Sequence, residues 1–134
     1  MSPMTTELAE LGRFFLITGR RLAAGSTAPE MFSDAIDSAW HSLIDDATAH
    51  EEFTIAHAGR ALIHVEGRGE GLVSWVSAYE DAYGPLPEIW FTDASGAVNS
   101  ESLAHYRSTG EVRASWNCSP EAAPTSTKAN PTAR

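Results

Sequence analysis

The chain has a single cysteine, Cys118, so it forms no internal disulfide, and a four-cysteine zinc site is excluded. Basic residues are also scarce: nine Lys and Arg stand against eighteen Asp and Glu, leaving a formal charge of −9 at pH 7. Such a surface repels a phosphate backbone, and no basic stripe offsets it, which argues against a nucleic-acid partner. No stretch approaches the roughly 20 apolar residues needed to cross a bilayer, so a membrane span is not expected. The opening residues Met1 to Glu7 lack the basic and apolar regions of a secretory signal. These absences together predict a cytoplasmic protein.

What is present suffices for one folded unit. The chain has 134 residues, of which 43% are hydrophobic. That suits a single compact domain with a sizeable core, because domains of about 100–150 residues are the commonest size.

Leu8, Leu11, Phe15, Thr18 and Leu22 step by three and four, which predicts a helix over residues 6–24. Glu7 and Glu10 near its start, Arg20 and Arg21 near its end, and Gly25 beyond it all suit the helix dipole and a C-terminal cap. Ser33 can cap a second helix whose apolar face is Phe32, Ile36, Trp40, Leu43 and Ile44. Thr48-Ala49-His50-Glu51 has the form of a capping box, placing the start of a third helix at residue 49 and its end at Gly59.

Glu66-Gly67-Arg68-Gly69-Glu70-Gly71 alternates glycine with charge and reads as a mobile linker. A phosphate-cradling loop is the other reading, but the glycine spacing is wrong and the two glutamates would repel phosphate. Leu72, Trp75, Val76, Tyr79, Ala82 and Tyr83 define a fourth helix closed by Gly84 and Pro85. Leu86 to Phe91 reads as an apolar hook, residues 99–108 as a short last helix, and Val112 to Trp116 as an extended piece. From Asn117 onward no large apolar residue occurs, which predicts a disordered tail. The expected fold is therefore all-α: four main helices in a domain over residues 1–116, with an irregular hook and a disordered tail over 117–134.

Chemistry is suggested by the histidines. Four of the five, His41, His50, His57 and His64, lie close together in sequence. In one unbroken helix, His50, His57 and His64 would recur every seven residues, about 10.5 Å apart, too far to chelate one ion. Breaks at Thr48 and Gly59 change this, putting His41, His57 and His64 on three segments that can converge on zinc or another transition metal. A water or Cys118 would fill the remaining position. The plainer reading makes His57 a hydrogen-bonded, partly buried side chain and puts His50 on a solvated rim.

A Cys–His nucleophile pair is disfavoured by the distance in sequence between Cys118 and the histidines. Adjacent acids such as Asp45 with Asp46 point about 100° apart on a helix and read as solvated faces. The aromatics Trp75, Tyr79, Tyr83, Trp90 and Phe91 read as core and end-cap, or as a groove for a partner, because Trp and Tyr dominate interface hot spots.

The run Ile36-Asp37-Ser38-Ala39-Trp40-His41, then Phe53, then His57-Ala58-Gly59-Arg60-Ala61-Leu62-Ile63-His64, resembles bacterial members of the glycine-rich domain protein-like family. Tyr79 through Gly84 followed by Trp90 resembles a helix end in the same family, and the similarity covers roughly residues 8–93. Thr54 stands where the family pattern has cysteine, and His50 where it has tyrosine. The resemblance implies the layout of a metal-binding or structural His/Cys cluster and no established catalytic activity. The leading functional expectation is a non-catalytic accessory module that binds a protein or peptide through Trp75, Tyr79, Tyr83, Trp90 and Phe91. The alternative is a small metal-binding protein or metalloenzyme using His41, His57 and His64, and a weaker one is histidine acid–base catalysis without metal.

Overall fold

A computed structural model describes residues 5–123. The first helix, α1, spans Thr6–Ala23, and the Thr5 side chain caps it by accepting from the Leu8 N–H at 3.2 Å. α2 spans Asp34–Ile44 under a Ser33 cap, with Ser33 Oγ accepting from the Ile36 N–H at 3.2 Å. α3 spans Ala47–Ala58 and ends at Gly59, whose φ of +79° is the left-handed conformation that glycine adopts without penalty. It starts two residues before the expected position. Asp46 rather than Thr48 is the cap, its carboxylate accepting from the Ala49 N–H at 3.1 Å, in keeping with the stronger capping preference of aspartate.

The protein is not all-α. Leu62–Leu72 forms a strand, β1, and Arg113–Ala122 forms a second, β2, which pair antiparallel into a two-stranded sheet. Between them lie α4 (Val76–Tyr83), a 3₁₀ turn (Glu88–Phe91) and α5 (Ser100–Thr109). The architecture is mixed α and β, with five helices among the described residues.

Most of β1 falls where a linker was expected, and β2 begins in the extended piece expected over Val112 to Trp116 and runs on into the expected tail. The glycine–charge alternation of Glu66 to Gly71 is part of β1, and a Cβ built on Gly69 would lie 2.7 Å from three atoms of the Trp116 indole. The glycine thus lets a cross-strand tryptophan lie flat on the backbone. The supposed tail from Asn117 belongs to β2 as far as Ala122; residues 124–134 lie outside the described residues. A two-stranded ribbon is marginal alone. Here its inner positions, Leu62 and Cys118 among them, are buried in the core, and the Met31 N–H bonds the Cys118 carbonyl at 3.2 Å.

α1 is the central element, packing on α2, α3 and α4. Its Phe14 ring meets Trp75 and Trp90 at centroid distances of 5.1 and 5.5 Å, and Phe15 meets Trp40 at 5.3 Å. Such tilted and edge-on pairs are the preferred aromatic geometry. Leu86, Trp90 and Phe91 turn into this core. Tyr106 of α5 ties the same region down, its hydroxyl donating to Glu80 and accepting from the Leu86 N–H.

Candidate metal centre

α2 carries Asp37 and His41 one turn apart, so both side chains project from one face. The sheet supplies the opposing wall. His64 on β1 lies opposite Pro120 of β2, and Cys118 lies two residues before that proline. The pleat puts residues i and i+2 on one face, so His64 and Cys118 are diagonal neighbours.

The four side chains meet at the Asp37 carboxylate. Cys118 Sγ lies 3.2 Å from Asp37 Oδ1, His64 Nε2 lies 3.5 Å from the same oxygen, and His41 Nε2 lies 3.4 Å from Oδ2. Donor atoms of Asp37, His64 and Cys118 all fall within 4.8 Å of one another. The imidazoles of His41 and His64 are 4.5 Å apart edge to face, and Trp40 packs on the other side of His64 at 4.5 Å.

Exposure separates the two histidines. The His41 side chain is 58% exposed and that of His64 only 13%. His64 Nε2 is buried without a hydrogen-bond partner among the described residues, since its approach to Asp37 lacks hydrogen-bond geometry. A buried polar nitrogen left unpaired is costly, and such groups call for a specific explanation. Burial and then the neighbouring Asp37 carboxylate push the Cys118 thiol far above its ordinary range. Without a cation it is a neutral thiol directed at Asp37.

This arrangement does not suit nucleophilic catalysis. A Cys–His pair needs the imidazole to receive the thiol proton, with the carboxylate orienting the imidazole from its other nitrogen. Here Asp37 Oδ1 contacts both groups and disfavours the thiolate, the reactive form. One oxygen, one imidazole nitrogen and one sulfur around a small volume instead match the donors of a borderline-soft divalent ion.

The expected trio of His41, His57 and His64 does not assemble. His57 lies on the last turn of α3, its Nδ1 2.9 Å from the Phe53 carbonyl, with its ring packed against Gly12 of α1. It is a packing residue at the α1–α3 crossing. Asp37 and Cys118 stand with His41 and His64 in its place. Asp37 had a legible signal, the Asp-x-x-x-His spacing on one helix face, which reads equally well as favourable helix-dipole charge. Thr54 is fully buried away from this group, donating to the Glu51 carbonyl and accepting from the Leu62 N–H where β1 begins.

His50 is half-buried rather than on a solvated rim, and its Nε2 accepts the Trp40 indole N–H at 3.0 Å. Burial, and secondarily His64, lower its pKa below the ordinary 6.5. Above that value both folded and unfolded chains hold it neutral. As pH falls through about 6.5 the unfolded chain takes up a proton first, so stability declines until the folded pKa is passed. Metal-free wild-type protein should therefore lose more melting temperature between about pH 7 and pH 5 than a His50→Gln variant, which retains an acceptor but does not titrate. Parallel melting curves for the two proteins would count against this role for His50.

The aromatic set is interior. Trp75, Tyr79 and Trp90 are fully buried, Phe91 nearly so, and Tyr83 is half-buried with the Arg13 guanidinium 4.6 Å above its ring. Their polar atoms are engaged as well, Trp75 Nε1 donating to the Glu30 carbonyl at 2.8 Å and Trp90 Nε1 to Glu10 at 3.0 Å. No helix among the described residues is long and apolar enough to cross a membrane.

Comparison with family models, with curated proteins and with solved structures finds no match to this chain. The likeness to the glycine-rich domain protein-like family therefore rests on the quoted residues alone.

Proposed function

We propose that the protein binds a divalent transition metal, with zinc as the expected ion, through Asp37, His64 and Cys118. The observation that carries this reading is the convergence of three chemically suitable donors from α2, β1 and β2, one of them the buried and unpartnered His64 Nε2. An ion would give that nitrogen its missing partner and would stabilise the Cys118 thiolate that burial otherwise disfavours. His41 contacts the outer oxygen of Asp37 and would orient the carboxylate, the kind of outer-shell contact that tunes metal ligands. A protein-binding role for Trp75, Tyr79, Tyr83, Trp90 and Phe91 gains no support from the fold, because those rings are largely enclosed.

The test is a zinc titration of untagged, metal-stripped protein against a chromophoric chelator. One equivalent should bind, and Cys118→Ser and His64→Ala should each weaken binding by at least about 100-fold, with His41→Ala costing about 10-fold. The cobalt-loaded wild type should show a sulfur-to-metal charge-transfer band that Cys118→Ser lacks. Thermal melts of the metal-free proteins would separate lost ligation from lost folding. A wild type that takes up no stoichiometric metal would overturn the proposal.

A further inference from the structure

We infer that the centre, once loaded, receives a small carboxylate ligand held between the ion and Arg68; this rests on the metal-binding reading above. Asp37 and His41 of α2, and His64, Glu66, Gly67, Arg68, Asn117 and Cys118 of the sheet, line a cavity of about 590 Å³. That volume lies within the usual range of small-molecule sites. The sheet side of the cavity contains an irregularity in the strand pairing. Glu66 pairs with Cys118 and Gly69 with Trp116, so Gly67 and Arg68 together oppose Asn117 alone. A two-against-one bulge bends the strand and re-aims a side chain, and Arg68 is among the residues that line the cavity shared with the three donors.

Arg68 has no ion pair or hydrogen bond among the described residues, although the protein carries twice as many acids as bases. Among the described residues it is the only arginine or lysine on the cavity wall. A guanidinium offers a planar fork of donors that matches a carboxylate in bidentate fashion. Three protein ligands leave a fourth position of a tetrahedral ion open to an exogenous oxygen. Asp37 and a Cys118 thiolate already neutralise a divalent ion, so the attraction for an anion falls to the open coordination position and to Arg68. Glu66 on the same wall opposes a second negative charge, which favours a carboxylate over a phosphate dianion.

The experiment titrates cobalt-loaded protein with acetate, propionate and inorganic phosphate at constant ionic strength, following the visible ligand-field bands. A saturable change with the carboxylates, stronger than with phosphate, is expected. Arg68→Ala should weaken that response by roughly 10- to 100-fold while leaving cobalt affinity unchanged, and Arg68→Lys should restore it only in part. Bound cobalt whose bands ignore all three anions would overturn this inference and leave the metal reading standing. A stronger response to phosphate would overturn the carboxylate assignment, and an undiminished response in Arg68→Ala would overturn the clamp. A protein that binds no cobalt removes both readings together.

Discussion

Replacing Glu10 by alanine is expected to destabilise the protein by about 3–5 kcal/mol, because two buried donors would lose their common acceptor. Glu10 Oε1 accepts from the Tyr79 hydroxyl at 2.5 Å and from the Trp90 indole N–H at 3.0 Å, while Oε2 lies 3.4 Å from the Arg13 guanidinium. Glu10, Tyr79 and Trp90 are all buried, so water has little access to replace the carboxylate. Burial, with the Glu10 bond adding to it, raises the Tyr79 pKa, which keeps the phenol a donor throughout the physiological range. Glu10→Gln retains one oxygen acceptor and should cost only about 1–2 kcal/mol. Urea unfolding followed by tryptophan fluorescence measures both. A loss below about 1 kcal/mol in the alanine variant would mean that the donors find other partners.

The second large effect is expected at Gly19, where α1 crosses α3. A Cβ there would lie 2.2 Å from the Ala58 carbonyl oxygen and 2.9 Å from its carbon, both backbone atoms. Alanine improves helix propensity by about 1 kcal/mol. The clash forces the two helices apart, and the net result should be a loss of about 2–3 kcal/mol. Gly12, seven residues earlier on α1, makes the informative comparison. Its Cβ would meet the His57 ring at 2.6 Å, and a side chain can turn aside where a carbonyl cannot. Gly12→Ala should therefore be milder, at about 1 kcal/mol. Thermal and urea denaturation of the pair give the ordering; if Gly12→Ala proves the more damaging, the close approach lies elsewhere along the crossing.

The two glycines illustrate which features were legible in sequence. The periodicity of Leu8 to Leu22 placed α1 at 6–24, within one residue of the observed Thr6–Ala23. Nothing in that periodicity distinguishes a glycine tolerated in a helix from one demanded by a carbonyl of another helix. The strands show the same limit more severely. Glycine at 67, 69 and 71 lowers local strand propensity, and Gly69 makes sense only once Trp116 lies across it. The partner strand is separated from β1 by two helices and a 3₁₀ turn, so no short window of sequence contains the pair.

The candidate centre divides along the same line. His41 and His64 were identifiable as candidate ligands, whereas Asp37, one turn from His41, was not among them, because that spacing reads equally well as helix-dipole charge. Cys118 could be considered only as an optional ligand while its segment read as a tail. His57 had the same sequence credentials as His64, yet it faces Gly12.

Sequence alone located the helices, because caps, dipole charges and the 3.6-residue period act within a few neighbouring residues. It drew α4 back to Leu72, however, which belongs to β1, whereas the helix starts at Val76. It also excluded an internal disulfide, because the chain has one cysteine. Tertiary structure alone decided that Leu62–Leu72 and Arg113–Ala122 form a sheet, and that the sheet carries His64 and Cys118 to the Asp37 face of α2. Strand pairing and ligand convergence depend on groups far apart in the chain, and their free energy appears only when the whole core closes around them.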